Sequence, residues 1–196
     1  MPGWLWALIV VGAAVLLALL VWQALRARRT RMLRERFGPE YDRALEGAEN
    51  KQAAESELSA RAERRDELEI RPLRPGARER FVADWQRVQA RFVDDPEDAL
   101  RDADMLIQSV MSARGYPVDD FEQRAADISV DHPQVVEEYR AAHRVARASA
   151  LGDATTEELR QAMRQYRSLF DELVEEAAEA PLDRERAAAD ADAARR

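Results

Sequence analysis

The chain has 196 residues, 38 of them acidic and 30 basic, with a formal net charge of −8. It contains no cysteine, which excludes disulfides, thiolate metal sites and cysteine nucleophiles. A hydrophobic share of 46% beside a mean hydropathy of −0.53 fits helices with narrow apolar stripes and solvated faces.

Residues 4–25 read WLWALIVVGAAVLLALLVWQAL, 22 residues without a charge. As a helix rising about 1.5 Å per residue they span roughly 33 Å, enough for the hydrocarbon core of a bilayer. Trp4 and Trp6 stand at one end and Trp22 at the other, where indole rings favour the headgroup boundary. The competing reading is a cleaved signal peptide. Against it, no basic stretch precedes the run, the run is long for a signal, and no A-x-A-like site follows it. The expectation is an uncleaved, single-pass signal-anchor over residues 1–25.

Residues 26–38 form a basic juxtamembrane segment. Arg26, Arg28, Arg29, Arg31, Arg34 and Arg36 are opposed only by Glu35. Arginines close to a membrane helix stay on the cytoplasmic side, so the N-terminus is expected outside and the C-terminal domain in the cytoplasm, at the plasma (inner) membrane. Phe37-Gly38-Pro39 breaks the helix, and Pro39 suits the first turn of the next. Residues 39–69 are rich in Ala, Glu and Arg and carry a thin stripe of Tyr41, Leu45, Ala48, Leu58, Ala62 and Leu68. This predicts one polar stalk helix of about 45 Å, or a strand of a weak coiled coil that pairs with a second copy. Residues 70–76, with two prolines and a glycine, read as a hinge or short extended crossing.

Periodicity sharpens over residues 77–177. Phe81, Trp85, Val88 and Phe92 mark an amphipathic helix. Asp95 caps the next, Pro96 opens it, and Leu100, Ala103, Leu106, Ile107, Val110 and Met111 line it to Gly115. Asp119 or Asp120 starts a shorter helix with Phe121, Ala125 and Ile128. Asp131 and Pro133 are expected to open another, with Val135, Val136, Tyr139, Ala142 and Ala146 inward and Gly152 at its end. Thr155 and Glu158 have capping-box spacing, and Leu159, Met163, Tyr166, Phe170, Leu173 and Val174 follow on one face. The predicted fold is all-α: an antiparallel helical bundle of about five helices behind an anchor and a stalk. Residues 178–196 offer Leu182 as their only large apolar side chain and read as a disordered tail.

Several runs carry a resemblance: RPL at 71–73, WQRVQARFVDDP at 85–96, RGYP at 114–117, FEQRAADISVDHP at 121–133 and TEELRQAMRQYRSLFDELV at 156–174. Together they resemble a bacterial family of single-pass membrane-anchored helical proteins without a known activity. The resemblance covers roughly residues 34–174 and implies a bacterial plasma membrane; it brings no reaction, cofactor or catalytic residue. The outline is also similar to LemA-type proteins, although no motif matches.

The chemistry is sparse. Asp94, Asp95, Glu97 and Asp98 offer oxygen ligands, but their spacing is not that of a calcium loop, and carboxylates at a helix start favour the dipole without an ion. His132 is expected partly exposed at a helix start, and His143, four residues after Tyr139, near the apolar stripe. Neither belongs to an E-x-x-H pair, and zinc needs more clustered ligands. Ser109, Ser112, Ser129, Ser149 and Ser168 lie outside any G-x-S-x-G elbow, and both common nucleotide-cradling motifs are absent. Residues 81–140 hold fourteen acids and six arginines, a net of −8 that repels nucleic acid.

The expected function is a membrane-tethered cytoplasmic interaction or scaffold module without catalysis, cofactor or metal. Its partners are the lipid bilayer, an unidentified protein, and a second copy through the stalk. The alternative is an enzyme or ligand-binding bundle with its site between helices. A deep polar pocket joining His143 to carboxylates from several helices favours the alternative; a filled core with an exposed apolar or acidic groove favours the first.

Overall fold

The computed structural model describes residues 3–74 and 76–193, with the side chains of residues 3, 5–11, 13 and 176–193 outside the described set. All regular structure among the described residues is helical, in eight helices. The chain divides into two compact units, Met1–Ser59 and Ala60–Arg196.

The first unit is built on α1 (Gly3–Phe37), a single helix of 35 residues. Gly38, at φ 48°, turns the chain, and α2 (Pro39–Gly47) opens on Pro39 and packs against α1. Ala48 is extended and ends α2, and after residues 48–50 the chain re-enters helix as α3 (Lys51–Glu67). Among the described residues of this unit, Leu33, Phe37, Tyr41, Ala54 and Leu58 are the buried apolar side chains. Among them lies a buried carboxylate, Glu55, which accepts hydrogen bonds from Thr30 Oγ1 at 2.7 Å and Tyr41 Oη at 2.9 Å and pairs with Lys51 at 3.5 Å. Burial alone would push this carboxyl up. The bonds from Thr30 and Tyr41, with Lys51, overcome that and hold it below its ordinary value.

This corrects the expected stalk. Residues 39–69 do not form one straight helix; they form two, with a break at 48–50. Of Leu45, Ala48 and Leu58, the stripe expected to meet a second copy, Leu58 is buried in this unit, as is Tyr41, while Leu45 and Ala48 are half-buried. Arg29 reaches Ser59 at 2.8 Å, and Gln52 and Ser56 share a surface depression with Trp22 and Leu25. The first half of α3 therefore lies beside α1.

The second unit holds the end of α3, a crossing that is non-helical over the described residues 68–74 and 76, and five helices: α4 (Ala77–Arg91), α5 (Pro96–Arg114), α6 (Phe121–Asp131), α7 (Val136–Ser149) and α8 (Thr156–Ala193). Helix α8 packs on α5 and α7, α4 packs on α5, and α6 on α7. The core follows the sequence stripes. Leu100, Ala103, Leu106, Ile107, Val110 and Met111 of α5 are buried, as are Leu159, Met163, Tyr166, Phe170, Leu173 and Val174 of α8. Trp85 stacks on Phe170 with ring centroids 4.7 Å apart and planes 19° apart.

The caps are largely those expected. Asp95 accepts from Asp98 N at 3.2 Å, Asp120 from Gln123 N at 2.9 Å, and Thr155 and Glu158 close a reciprocal box at 3.3 and 2.7 Å. The exception is α7. Asp131 and Pro133 do not open it: Asp131 is the last residue of α6, and α7 starts at Val136 without a side-chain cap. The carboxylate of Asp131 is held instead by Arg65 at 2.7 Å and Tyr116 Oη at 2.5 Å, which removes it from capping.

The crossing at 68–76 is strapped to its own unit. Leu68, Ile70 and Leu73 pack on the core, and Arg71 N donates to Arg114 O at 2.9 Å. Gly115, the left-handed C-cap of α5 at φ 101°, lies so close to this strap that a Cβ there would meet Glu69 O at 2.6 Å.

Among the described residues no helix is long and apolar enough to cross a membrane. Much of the span expected over residues 4–25 falls on side chains outside that set. The expected tail at 178–196 likewise falls outside the described side chains, while the backbone of α8 is helical to Ala193.

Candidate functional site

One carboxylate interrupts the buried face of α5. Asp104 sits between Ala103 and Leu106, and its neighbours come from α7 and α8. Its Oδ2 accepts from Gln108 Nε2 at 2.7 Å, and its Oδ1 stands 4.0 Å from His143 Nδ1. His143 stacks face to face on Phe121, centroids 3.6 Å apart and planes 8° apart. Tyr166, from α8, is fully buried near the same carboxylate. Asp104 Oδ1, His143 Nδ1 and the Tyr166 hydroxyl are all buried without a hydrogen-bond partner.

The electrostatics follow from burial. Desolvation lowers the His143 pKa, with Asp104 opposing and Arg124 and Arg147 adding to the fall, which favours the neutral ring. Burial, reinforced by Asp104, pushes the Tyr166 phenol up, and burial pushes Tyr139 up to about 12. Arg124 is buried as well, donating to Tyr139 Oη at 3.2 Å and to Val118 O at 2.5 Å. Beside this group lies a cavity of about 180 Å³ reached by Glu97, Asp104, His143, Arg147 and Ser149. That is below the roughly 300–1,000 Å³ of ordinary ligand pockets. It suits a water or a very small polar ligand.

The other sequence candidates are dispersed. His132 is buried, not partly exposed: it caps the C-terminus of α6 by its backbone, and its ring faces Glu172 of α8 at 3.6 Å. The structure does not bring it together with His143, which has different neighbours. The acidic run at the start of α5 is occupied: Asp95 caps, and Arg91 reaches Asp98 at 2.6 Å and Asp102 at 2.7 Å, with Arg101 also on Asp98. Among the described residues no three carboxylate or imidazole groups are grouped to hold a metal ion. Trp4 and Trp22 are exposed, with Arg26 lying 5.4 Å over the Trp22 ring, and the side chain of Trp6 is outside the described set. The arginines of the 26–36 run also do structural work, since Arg34 pairs with Asp42 at 3.2 Å and lies over Tyr41.

Neither Asp104 nor Tyr166 stands out as a site residue in the sequence. The signal for Asp104 was present, as an acid inside the α5 apolar period; Tyr166 reads simply as core. Comparison with protein-family models, with curated proteins and with solved structures finds no match to this chain.

Proposed function

We propose that the chain is a membrane-tethered interaction module, with the apolar half of α1 in a bilayer and the helical second unit presented on the cytoplasmic side to a protein partner. The observation that carries this reading is α1. Val15, Leu16, Leu17, Leu19, Leu20, Val21, Trp22 and Leu25 are each between 51% and 63% exposed, all round one helix, which in water leaves a large apolar surface uncovered. Only a bilayer or a partner of equal length covers it, and the six arginines from Arg26 to Arg36 follow immediately. The interaction role is supported by the second unit, where α5, α7 and α8 fill their shared interior with side chains.

The test has two arms. A reporter fused after Arg196 should be active only in the cytoplasm, and the full chain should resist alkaline extraction from membranes. Export of the reporter, or release by alkali, would overturn the tether. Affinity capture of the detergent-solubilised chain should recover a specific protein that is lost when residues 77–177 are deleted.

A second reading rests on the three unpartnered atoms of Asp104, His143 and Tyr166: a small polar ligand held between α5, α7 and α8. Ligand-dependent protection of the His143 ring, seen as a shifted imidazole resonance on adding cell-derived small molecules, would favour it over the first.

A further inference from the structure

Charge is segregated along the second unit. Residues 71–80 carry Arg71, Arg74, Arg78 and Arg80 against Glu79 alone, directly before the stretch whose net charge is −8. Three of these arginines, Arg71, Arg74 and Arg80, line a groove of about 460 Å³ floored by Phe81 and walled by Ala77 and Ala113. That volume lies within the ordinary range of ligand pockets.

Hydrogen bonds tie the described part of the lining to its surroundings. Arg71 N is tied to Arg114 O at 2.9 Å, Arg74 O accepts from Ala77 N at 2.9 Å, and Arg80 Nε donates to Gly76 O at 3.2 Å. No acidic side chain among the described residues pairs with the three guanidinium groups. The one carboxylate of the lining, Asp84, is taken by Arg87 one turn on. Three guanidinium side chains thus line the groove together with a half-buried aromatic ring, directly before a stretch of sequence whose net charge is −8.

We infer that this groove docks an acidic peptide segment of a partner protein, one that places an apolar side chain on Phe81 between carboxylates that meet the arginines. Guanidinium forks match carboxylates in two-point contacts, which fixes the anion chemistry. A small inorganic anion leaves Phe81 uncovered, and a nucleic acid brings its phosphates against the neighbouring acidic stretch. The inference rests on the interaction-module reading.

The experiment uses the full chain in detergent and a pool of short fluorescein-labelled peptides in which Glu alternates with Leu, Phe or Trp. Matched peptides carry Gln for Glu. At least one Glu peptide should bind about tenfold or more tightly than its Gln partner, a difference of roughly 1.4 kcal/mol. Added salt should weaken it. Arg71→Glu with Arg80→Glu should abolish binding, and Ala113→Glu, which sets a carboxylate in the groove from an exposed position on α5, should weaken it about tenfold. Arg78→Glu, in the same segment but outside the lining, should leave it within about twofold.

Failure of every Glu peptide, an Arg78→Glu loss equal to that of the groove arginines, or full displacement by inorganic phosphate would each overturn the groove. These outcomes stand apart from the wider reading. A specific partner captured equally well by wild type and by the Arg71→Glu/Arg80→Glu chain removes the groove and leaves the interaction module in place.

Discussion

Removing the Trp85 side chain tests the core of the second unit at its most informative point. Trp85 is 3% exposed and stacked on Phe170, so Trp85→Ala deletes both its burial and the stack between α4 and α8. Burial of about 150–250 Å² at 25 cal/mol per Å² is worth roughly 4–6 kcal/mol, and the stack adds about 0.5–1.5. Against this, Trp85 Nε1 is buried without an acceptor, which costs about 1–3 kcal/mol in the native protein and vanishes on substitution. The net expectation is a loss of about 3–5 kcal/mol. Trp85→Phe keeps a ring on Phe170 and discards the unsatisfied N–H, so its loss should stay below about 2 kcal/mol. Urea melts of the Ala60–Arg196 unit by far-ultraviolet circular dichroism measure both; that unit must begin early enough to keep Leu68, Ile70 and Leu73 on the core. An unchanged midpoint for Trp85→Ala would refute the packing argument. A phenylalanine as costly as the alanine would show that the indole N–H is engaged after all.

Other substitutions probe other terms. Gly115→Ala should destabilise by about 2–4 kcal/mol, since it meets both a left-handed φ and the Glu69 carbonyl, whereas Gly152→Ala, at φ 79° in open space, should cost only about 1–2 in the same melts. Asp127 is fully buried and burial raises its pKa above the ordinary value, so the native state holds its proton more tightly than the unfolded chain does. Stability should therefore fall as pH rises from the ordinary carboxylate value through the raised one, and Asp127→Asn should raise the midpoint at pH 7 and flatten that slope. His143 has the opposite linkage. Its pKa is lowered below 6.5, so stability present above that value is lost as pH falls through it toward the lowered one, and His143→Gln should remove this fall in melts taken across the acid range.

The second unit was legible from sequence because its signals are local and redundant. Each stripe residue of α5 and α8 recurs at helical spacing, and Asp95, Asp120 and the Thr155–Glu158 pair announce helix starts by side chains that bond three residues away. Where a residue's partner is distant, the local signal misled. Asp131 looks like a cap, but Arg65 and Tyr116 claim its carboxylate from 66 and 15 residues away. The polar stretch at 39–69 reads as a spacer because its stripe is thin, and nothing in its period marks Glu55 as a buried acid. The spacer reading fails where Thr30 and Tyr41 bring Glu55 hydrogen-bond donors that no helical period reveals. The site is legible in part. His143 stood out as one of two histidines, whereas Asp104 becomes notable only once α7 and α8 close over it.

The Glu55 arrangement also sets a clock for assembly. Thr30 and Glu55 are 25 residues apart, and Trp85 meets Phe170 only 85 residues later in the chain. At a synthesis rate of about 5–20 residues per second, Glu55 follows Thr30 within a few seconds, while helices form in about a microsecond. The first unit can close almost as soon as its last piece is made. The second must hold α4 and its unpartnered indole face exposed for roughly four to seventeen seconds until α8 arrives, which is the interval in which a chaperone or a neighbouring copy has access to it.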